Sequence, residues 1–113
     1  MFIGAHSILF SPKADELRAF FRDVLELDSV DAGHGWLIFA LPPAEVGVHP
    51  AETGAHQLSL TCDDLDTTVA ELRTKGLDVR DERHEERWGV ITYIDLPGGL
   101  ELMLYEPRHP LAR

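Results

Sequence analysis

The chain has 113 residues, of which 44% are hydrophobic and 27% are charged, and this is the size and composition of one globular domain. No apolar run is long enough to cross a bilayer and the N-terminus lacks an export signal, so we expect a cytosolic protein. The net charge of −10 argues against nucleic acid or an anionic membrane as a partner. The single cysteine, Cys62, can form no internal disulfide, which is typical of a reducing compartment.

A short repeat divides the sequence into two halves. Gly4-Ala5-His6 recurs as Gly54-Ala55-His56, and each copy precedes a strand-like run, at residues 8–10 and 58–60. In the first half, Ser11-Pro12 is a typical helix start. Helical spacing of the apolar residues then predicts a helix through Leu17, Phe20, Phe21, Val24 and Leu25. Three strands are predicted after it, near residues 29–31, 36–41 and 46–49.

The second half has the same order of elements. Asp63-Asp64 is a helix cap, Leu65, Val69 and Leu72 form an apolar stripe, and Lys75-Gly76 is a typical helix end. Strands are predicted at residues 79–81, 90–95 and 100–105, with a turn at 96–99. The mixed-charge segment 80–87 is interpreted as a solvated connection that could also serve as a lid beside Trp88.

Both halves therefore have the order strand, helix and three strands. The sequence predicts an α+β fold of two βαβββ modules, about residues 1–50 and 54–107, within a single domain spanning residues 1–113. A unit this small cannot bury its own sheet, so we expect the modules to pack together. They would form a curved mixed sheet with the helices on its outer face and a concave pocket on the other.

Side-chain alternation predicts which residues of each strand face the pocket. The uniformly apolar positions Leu100, Leu102 and Leu104 are assigned to the core, and Leu58, Leu60 and Cys62 likewise. The residues of opposite parity in the same two strands are assigned to the pocket: Gln57, Ser59, Thr61, Glu101, Met103 and Tyr105. His49, from the predicted strand at 46–49, is assigned to the pocket as well. A carboxylate among leucines is costly to bury alone, so Glu101 should have a metal or a cationic partner. In the first strand, alternation allows either His6, Ile8 and Phe10 or the intervening residues to face the core.

The sequence resembles the vicinal oxygen chelate superfamily, which includes glyoxalases, bleomycin-resistance proteins and extradiol dioxygenases. The resemblance rests on His6, on Phe20-Phe21-Arg22-Asp23-Val24-Leu25, on Asp63-Asp64-Leu65, and on Leu96-Pro97-Gly98-Gly99-Leu100-Glu101-Leu102. Together with the repeat it places His6 in the pocket, and with it Ile8 and Phe10.

The resemblance also implies metal ligands on the first, fourth, fifth and eighth strands. These are His6, a position at Gly47 or His49, Gln57 and Glu101, the last also being the candidate catalytic residue. The implied metal is Fe, Mn, Ni or Zn. Gly47 and Gln57 depart from the commonest ligands, although a glutamine oxygen can bind a hard cation. A bulge that turned His56 inward would instead give His6, His56 and Glu101, the ligand set of ferrous oxygenases.

The resemblance leaves more than one function open. The first is binding of an oxygen-bearing organic molecule, with a metal-dependent lyase, isomerase or dioxygenase reaction in which the ion polarises a substrate oxygen. The second is a metal-free protein that sequesters a drug or metabolite, and the third is a ligand-sensing module without turnover. The resemblance also implies a homodimer.

Overall fold

The two predicted helices are present in the computed structural model, which describes residues 7–44 and 50–110. Helix α1 spans Ala14–Ala19 and continues directly into a π-helical turn over Phe20–Val24. Helix α2 spans Leu65–Thr74. Asp64 caps α2 as predicted, since its Oδ1 accepts a hydrogen bond of 2.9 Å from the backbone N–H of Thr67.

The start of the first helix differs from the prediction. Helix α1 begins at Ala14 with Lys13 at the capping position, rather than at Ser11-Pro12. The Ser11 hydroxyl accepts a hydrogen bond from the Lys13 N–H at 3.1 Å and donates to the Pro97 carbonyl at 3.2 Å. Ser11 therefore ties the chain to the β-turn of the second half instead of capping the helix.

The strands of the described residues form two sheets. In the first half, β1 (Ser29–Asp31) pairs antiparallel with β2 (Leu37–Phe39). In the second half, the strand order is β3-β6-β5-β4, with β3 (Ser59–Thr61) parallel to β6 (Leu100–Pro107). The long strand β5 (Gly89–Leu96) is antiparallel to β6 and to the short edge strand β4 (His84–Glu86).

The second half is therefore a complete βαβββ unit, whereas the first half shows its helix and two of its strands. The predicted strand at 8–10 forms no strand, because it has no ladder of hydrogen bonds to a neighbour among the described residues. The predicted strand at 46–49, with Gly47 and His49, lies outside the described residues, as does His6.

The predicted strand at 79–81 is wrong. Segment 80–87 is mostly exposed, as a solvated connection should be, but it also contains the short strand β4. Val79 makes only an isolated bridge to Ile94, and the strand forms later, at His84–Glu86. The buried Thr92 hydroxyl donates to the carbonyls of Arg80 and Glu82, at 3.2 and 2.8 Å, which bends the chain between the two pairing sites. Both sites lie along the same edge of β5.

Both helices pack on one face of this architecture. Leu17, Phe20 and Phe21 of the first helical segment share a buried cluster with side chains of α2 and the large sheet: Leu65, Val69, Leu72, Val79, Val90, Ile94, Leu96, Leu102 and Leu104. Leu58, Leu60, Cys62 and Leu100 pack against it. The predicted core parity is thus confirmed for β3 and β6. No helix of the described residues is long and apolar enough to cross a membrane.

Candidate functional site

The face of the large sheet opposite the helices, called the open face below, carries the polar and aromatic side chains of three strands. Strand pairing arranges them in rows across the sheet. Asp95 pairs with Glu101, and the next row along the strands contains Tyr93, Met103 and Ser59. A further row contains Ile91, Tyr105 and Thr61, with His84 of β4 beside Ile91. Ile91 is buried yet lies outside the core cluster, as its position on this face requires.

A cleft of about 150 Å³ lies where β3 and β6 begin, and we call it the Gln57–Glu101 cleft. Both of these residues line it, and His56 lines it too. The parallel register that pairs Ser59 with Met103 places Gln57 beside Glu101 when it is continued by two residues. Three of the five predicted metal-ligand positions therefore line one cleft, whereas His6 and the position at Gly47 or His49 lie outside the described residues. The rest of the lining is apolar: Leu9, Leu58, Leu96, Leu100 and Leu102.

Glu101 has a cationic partner, which is Arg80. Nη2 of Arg80 lies 2.8 Å from Oε1 of Glu101 and 2.6 Å from Oδ1 of Asp95, and Nε lies 3.3 Å from Oδ2 of Asp95. The guanidinium also stacks over the ring of Tyr93, 5.3 Å from its centroid. These hydrogen bonds raise the pKa of Arg80 and lower the pKa of Asp95. The acidic end of the open face is thus a cluster in which one guanidinium is hydrogen-bonded to two carboxylates.

The described residues around Glu101 do not fit the divalent metal ion that the resemblance implies. Oε1 of Glu101 already accepts a hydrogen bond from a guanidinium, and a divalent ion bound to this carboxylate would lie beside a like charge. Within residues 7–44 and 50–110, no three His, Cys, Asp or Glu side chains are arranged to hold a metal ion.

The other end of the open face is aromatic. Tyr105 packs edge-to-face on Trp88 with 5.5 Å between ring centroids, and His109 lies 5.7 Å from the Tyr105 ring. The Tyr105 hydroxyl donates to the Trp88 carbonyl at 3.3 Å. Since Glu101 and Tyr105 are four residues apart on one strand, the charged and aromatic ends are separated by about 13 Å.

The remaining predicted pocket residues are placed unequally. Ser59, Thr61 and Met103 are half-buried on the open face. Phe10 is 80% exposed and Ile8 58% exposed, so within one chain neither is enclosed in a pocket. Their neighbour Leu9 packs against the core and lines the Gln57–Glu101 cleft. His49 lies outside the described residues.

A second and larger cleft, of about 390 Å³, lies at the start of α2. Its charged side chains are paired with one another: Arg83 with Asp66 at 3.3 Å and Arg108 with Glu85 at 3.0 Å. Glu106 accepts the backbone N–H of Leu65 at 2.8 Å. These contacts hold β4, β6 and α2 together, so we interpret this cleft as structural.

Several solved structures share this fold. Over 92% of both chains, a lactoylglutathione lyase from Agrobacterium tumefaciens superposes with a TM-score of 0.65 at 19% identity. An antibiotic binding protein from Streptomyces superposes with a TM-score of 0.65 at 23% identity, over 95% of this chain and 98% of that chain. A member of the glyoxalase/bleomycin resistance protein/dioxygenase superfamily from Sphaerobacter thermophilus superposes with a TM-score of 0.62 at 21% identity. This match covers 93% of this chain and 98% of that chain.

The chain has the fold of this superfamily. The resemblance seen in the sequence is thereby confirmed at the level of the fold. The superfamily includes both an enzyme and a binding protein among these neighbours, so the fold alone does not select an activity. The sequence matches no family model and no curated protein.

Sequence reasoning missed Arg80 as a site residue, although a signal for it was present. The turn at 96–99 joins two predicted strands, and a tight hairpin there sets Asp95 opposite Glu101. Two carboxylates directly opposite each other on one face are unfavourable without a cation between them. A search for that cation leads to the nearby arginines, of which the structure selects Arg80.

Proposed function

We propose that the chain binds a small, oxygen-bearing organic molecule on the open face and holds it without a metal ion, in the cytosol and as a homodimer. The ion pair between Arg80 and Glu101 carries this proposal, because it supplies the charge compensation that a metal-binding carboxylate would otherwise need. The presence of an antibiotic binding protein among the structural neighbours supports it.

The open face offers the groups that such a site requires. The Gln57 amide both donates and accepts hydrogen bonds, the Ser59 and Thr61 hydroxyls do the same, and Met103 and Tyr93 provide apolar surface between the polar groups. Pockets for small molecules combine an apolar lining with a few polar groups that fix orientation. In this arrangement Gln57 and Glu101 would orient the guest.

A second candidate is a metal-dependent lyase, isomerase or dioxygenase. The observation that favours it is that His56, Gln57 and Glu101 line one cleft. Because the described residues around Glu101 do not fit a metal, we assign no reaction step to such an ion.

Ligand binding is measured through the fluorescence of Trp88, with Trp36→Phe as the background because these are the two tryptophans of the chain. The probes are a panel of aromatic, oxygen-bearing antibiotics that includes bleomycin. We expect at least one of them to bind saturably. Glu101→Ala and Gln57→Ala should each weaken it about tenfold, the effect of losing one hydrogen bond to a charged or well-placed polar group.

His56→Ala should change the affinity little, and so should the control Glu71→Ala on the exposed surface of α2. Equal losses from Glu101→Ala and His56→Ala would favour the metal-dependent candidate. Saturable binding that none of the open-face substitutions changes would overturn the assignment of the site.

A further inference from the structure

Asp95 and Glu101 form a pair of neighbouring carboxylates that the fold itself creates. They are register partners on β5 and β6, just before and after the hairpin turn, and both side chains are about half exposed. Like charges directly across a strand pair destabilise a sheet. A cation between them is therefore a requirement of this hairpin, and a divalent ion and a guanidinium are alternative ways to meet it.

Arg80 is held in position to be that cation. Its backbone N–H donates to the Tyr93 carbonyl at 3.2 Å, and its own carbonyl accepts from the Thr92 hydroxyl at 3.2 Å and from Nη1 of Arg83 at 2.9 Å. Its guanidinium lies over the ring of Tyr93 and binds both carboxylates. Backbone and side chain are thus both fixed, which lowers the entropy that the ion pair would otherwise cost.

We infer that Arg80 is a built-in cation that replaces the metal ion of this fold: it occupies the Asp95–Glu101 pair and excludes divalent metal from it. The inference rests on the proposed function only for the location of the site. Nη1 of Arg80 makes no hydrogen bond to any described residue, so it is available to donate to an oxygen atom of the guest. Arg80 thereby favours ligands with a hydrogen-bond-accepting oxygen near Glu101.

The inference predicts that removing the guanidinium opens a latent metal site. Without Arg80 the two carboxylates lie side by side with no counter-charge, and Gln57 lines the same cleft as Glu101. Such a set of oxygen ligands attracts Mn(II). Arg80→Met keeps the length of the apolar stem and removes the charge. The matched control is Arg22→Met, which makes the same change in net charge at the remote exposed pair of Arg22 and Asp23.

The experiment titrates the metal-free protein with Mn(II), Ni(II) or Zn(II) alone, using electron paramagnetic resonance for manganese and calorimetry for the others. We expect the wild type and Arg22→Met to bind equally weakly, Arg80→Met to bind at least tenfold more tightly, and Arg80→Met combined with Glu101→Gln to return to the wild-type affinity. Arg80→Lys should bind these metal ions as weakly as the wild type because the positive charge is kept.

Two results would overturn the inference. One is tight metal binding by the wild type that Glu101→Gln abolishes. This comparison also tests whether the wild type excludes metal if Arg80→Met fails to fold. The other is a folded Arg80→Met that binds metal no more tightly than Arg22→Met. Failure of every antibiotic probe to bind would count against the proposed function and leave these metal affinities unchanged, so the two failures are distinguishable.

Discussion

At the scale of single residues, the decisive feature is the environment of Glu101. The residue was expected to have either a metal or a cationic partner, and the structure pairs it with Arg80 at 2.8 Å. The same guanidinium binds Asp95, and this hydrogen bond lowers the pKa of Asp95 below its ordinary value of 3.8. The stability of the folded state should therefore depend on pH through the Asp95 carboxyl group.

We predict that Asp95→Asn lowers the free energy of unfolding at pH 7 and that the difference from the wild type disappears in acid. A carboxyl group whose pKa is depressed in the folded state stabilises it above the ordinary pKa, and this contribution is lost as the pH falls through the folded-state pKa. The relevant window lies below pH 3.8. Because the pair is exposed, the effect should be small and should decrease with added salt.

Urea unfolding of both proteins between pH 7 and pH 2 tests this, with Asp23→Asn as the comparison. Asp23 pairs with its sequence neighbour Arg22, so its ion pair joins no separate elements and its loss should cost less. Equal unfolding midpoints for Asp95→Asn and the wild type at pH 7 and low salt would contradict the prediction.

At the scale of elements, the hairpin of β5 and β6 organises the second half. Eight residues of each strand pair across it, and β6 also carries the parallel pairing to β3. Its side chains divide between the core and the open face by simple alternation, so adjacent residues of one strand have different roles. Leu102 is 1% exposed in the core, and Met103 is half-buried on the open face.

Truncation of these two neighbours should therefore have unequal effects. We predict that Leu102→Ala lowers the free energy of unfolding by about 3 kcal/mol, since it leaves a cavity in a close-packed cluster. Met103→Ala should cost less than about 1 kcal/mol because its side chain keeps partial access to solvent. Urea denaturation followed by circular dichroism measures both values, and similar losses would show that the assignment of the two faces is incorrect.

The elements also show where sequence patterns are sufficient and where they fail. Helix α2 and the faces of β3 and β6 follow from local signals, namely the Asp64 cap, the spacing of Leu65, Val69 and Leu72, and strand alternation. Strand β4 could not be predicted in this way, because its residues, His84–Glu86, are charged and exposed. Its position depends on the bend stabilised by Thr92, which joins segments ten or more residues apart.

The candidate site shows the same division. Alternation was sufficient to place Glu101, Met103, Ser59 and Thr61 on one face. It could not find Arg80, because that side chain reaches the site from an irregular segment through contacts across 15 and 21 residues. Such non-local pairing is set by tertiary structure rather than by sequence periodicity.

At the scale of the whole molecule, the described residues expose several large apolar side chains. Phe10 is 80% exposed, Val30 66% and Trp36 61%. Covering such side chains with a second copy of the chain would remove apolar surface from water, which favours association.

We predict a homodimer at micromolar concentration. Light scattering coupled to size-exclusion chromatography should give about twice the mass of the chain. Phe10→Asp places a charge in the exposed apolar set and should shift the protein toward monomer, whereas Ala70→Asp on the exposed side of α2 should not. A monomeric wild type at this concentration would be inconsistent with the prediction.

The π-helical turn after α1 affects how this sequence can change in length. The N–H of Leu25 bonds to the carbonyl of Phe20, five residues earlier, so the turn holds one residue more than a regular helical turn, and Phe20 and Phe21 are both buried there. The loss of one residue would return this turn to ordinary winding, so we expect the backbone to tolerate a deletion at this point. Helix α2 is regular, and its buried residues Leu65, Val69 and Leu72 lie on one face. The same deletion between Leu65 and Leu72 would rotate Leu72 by about 100° away from the core.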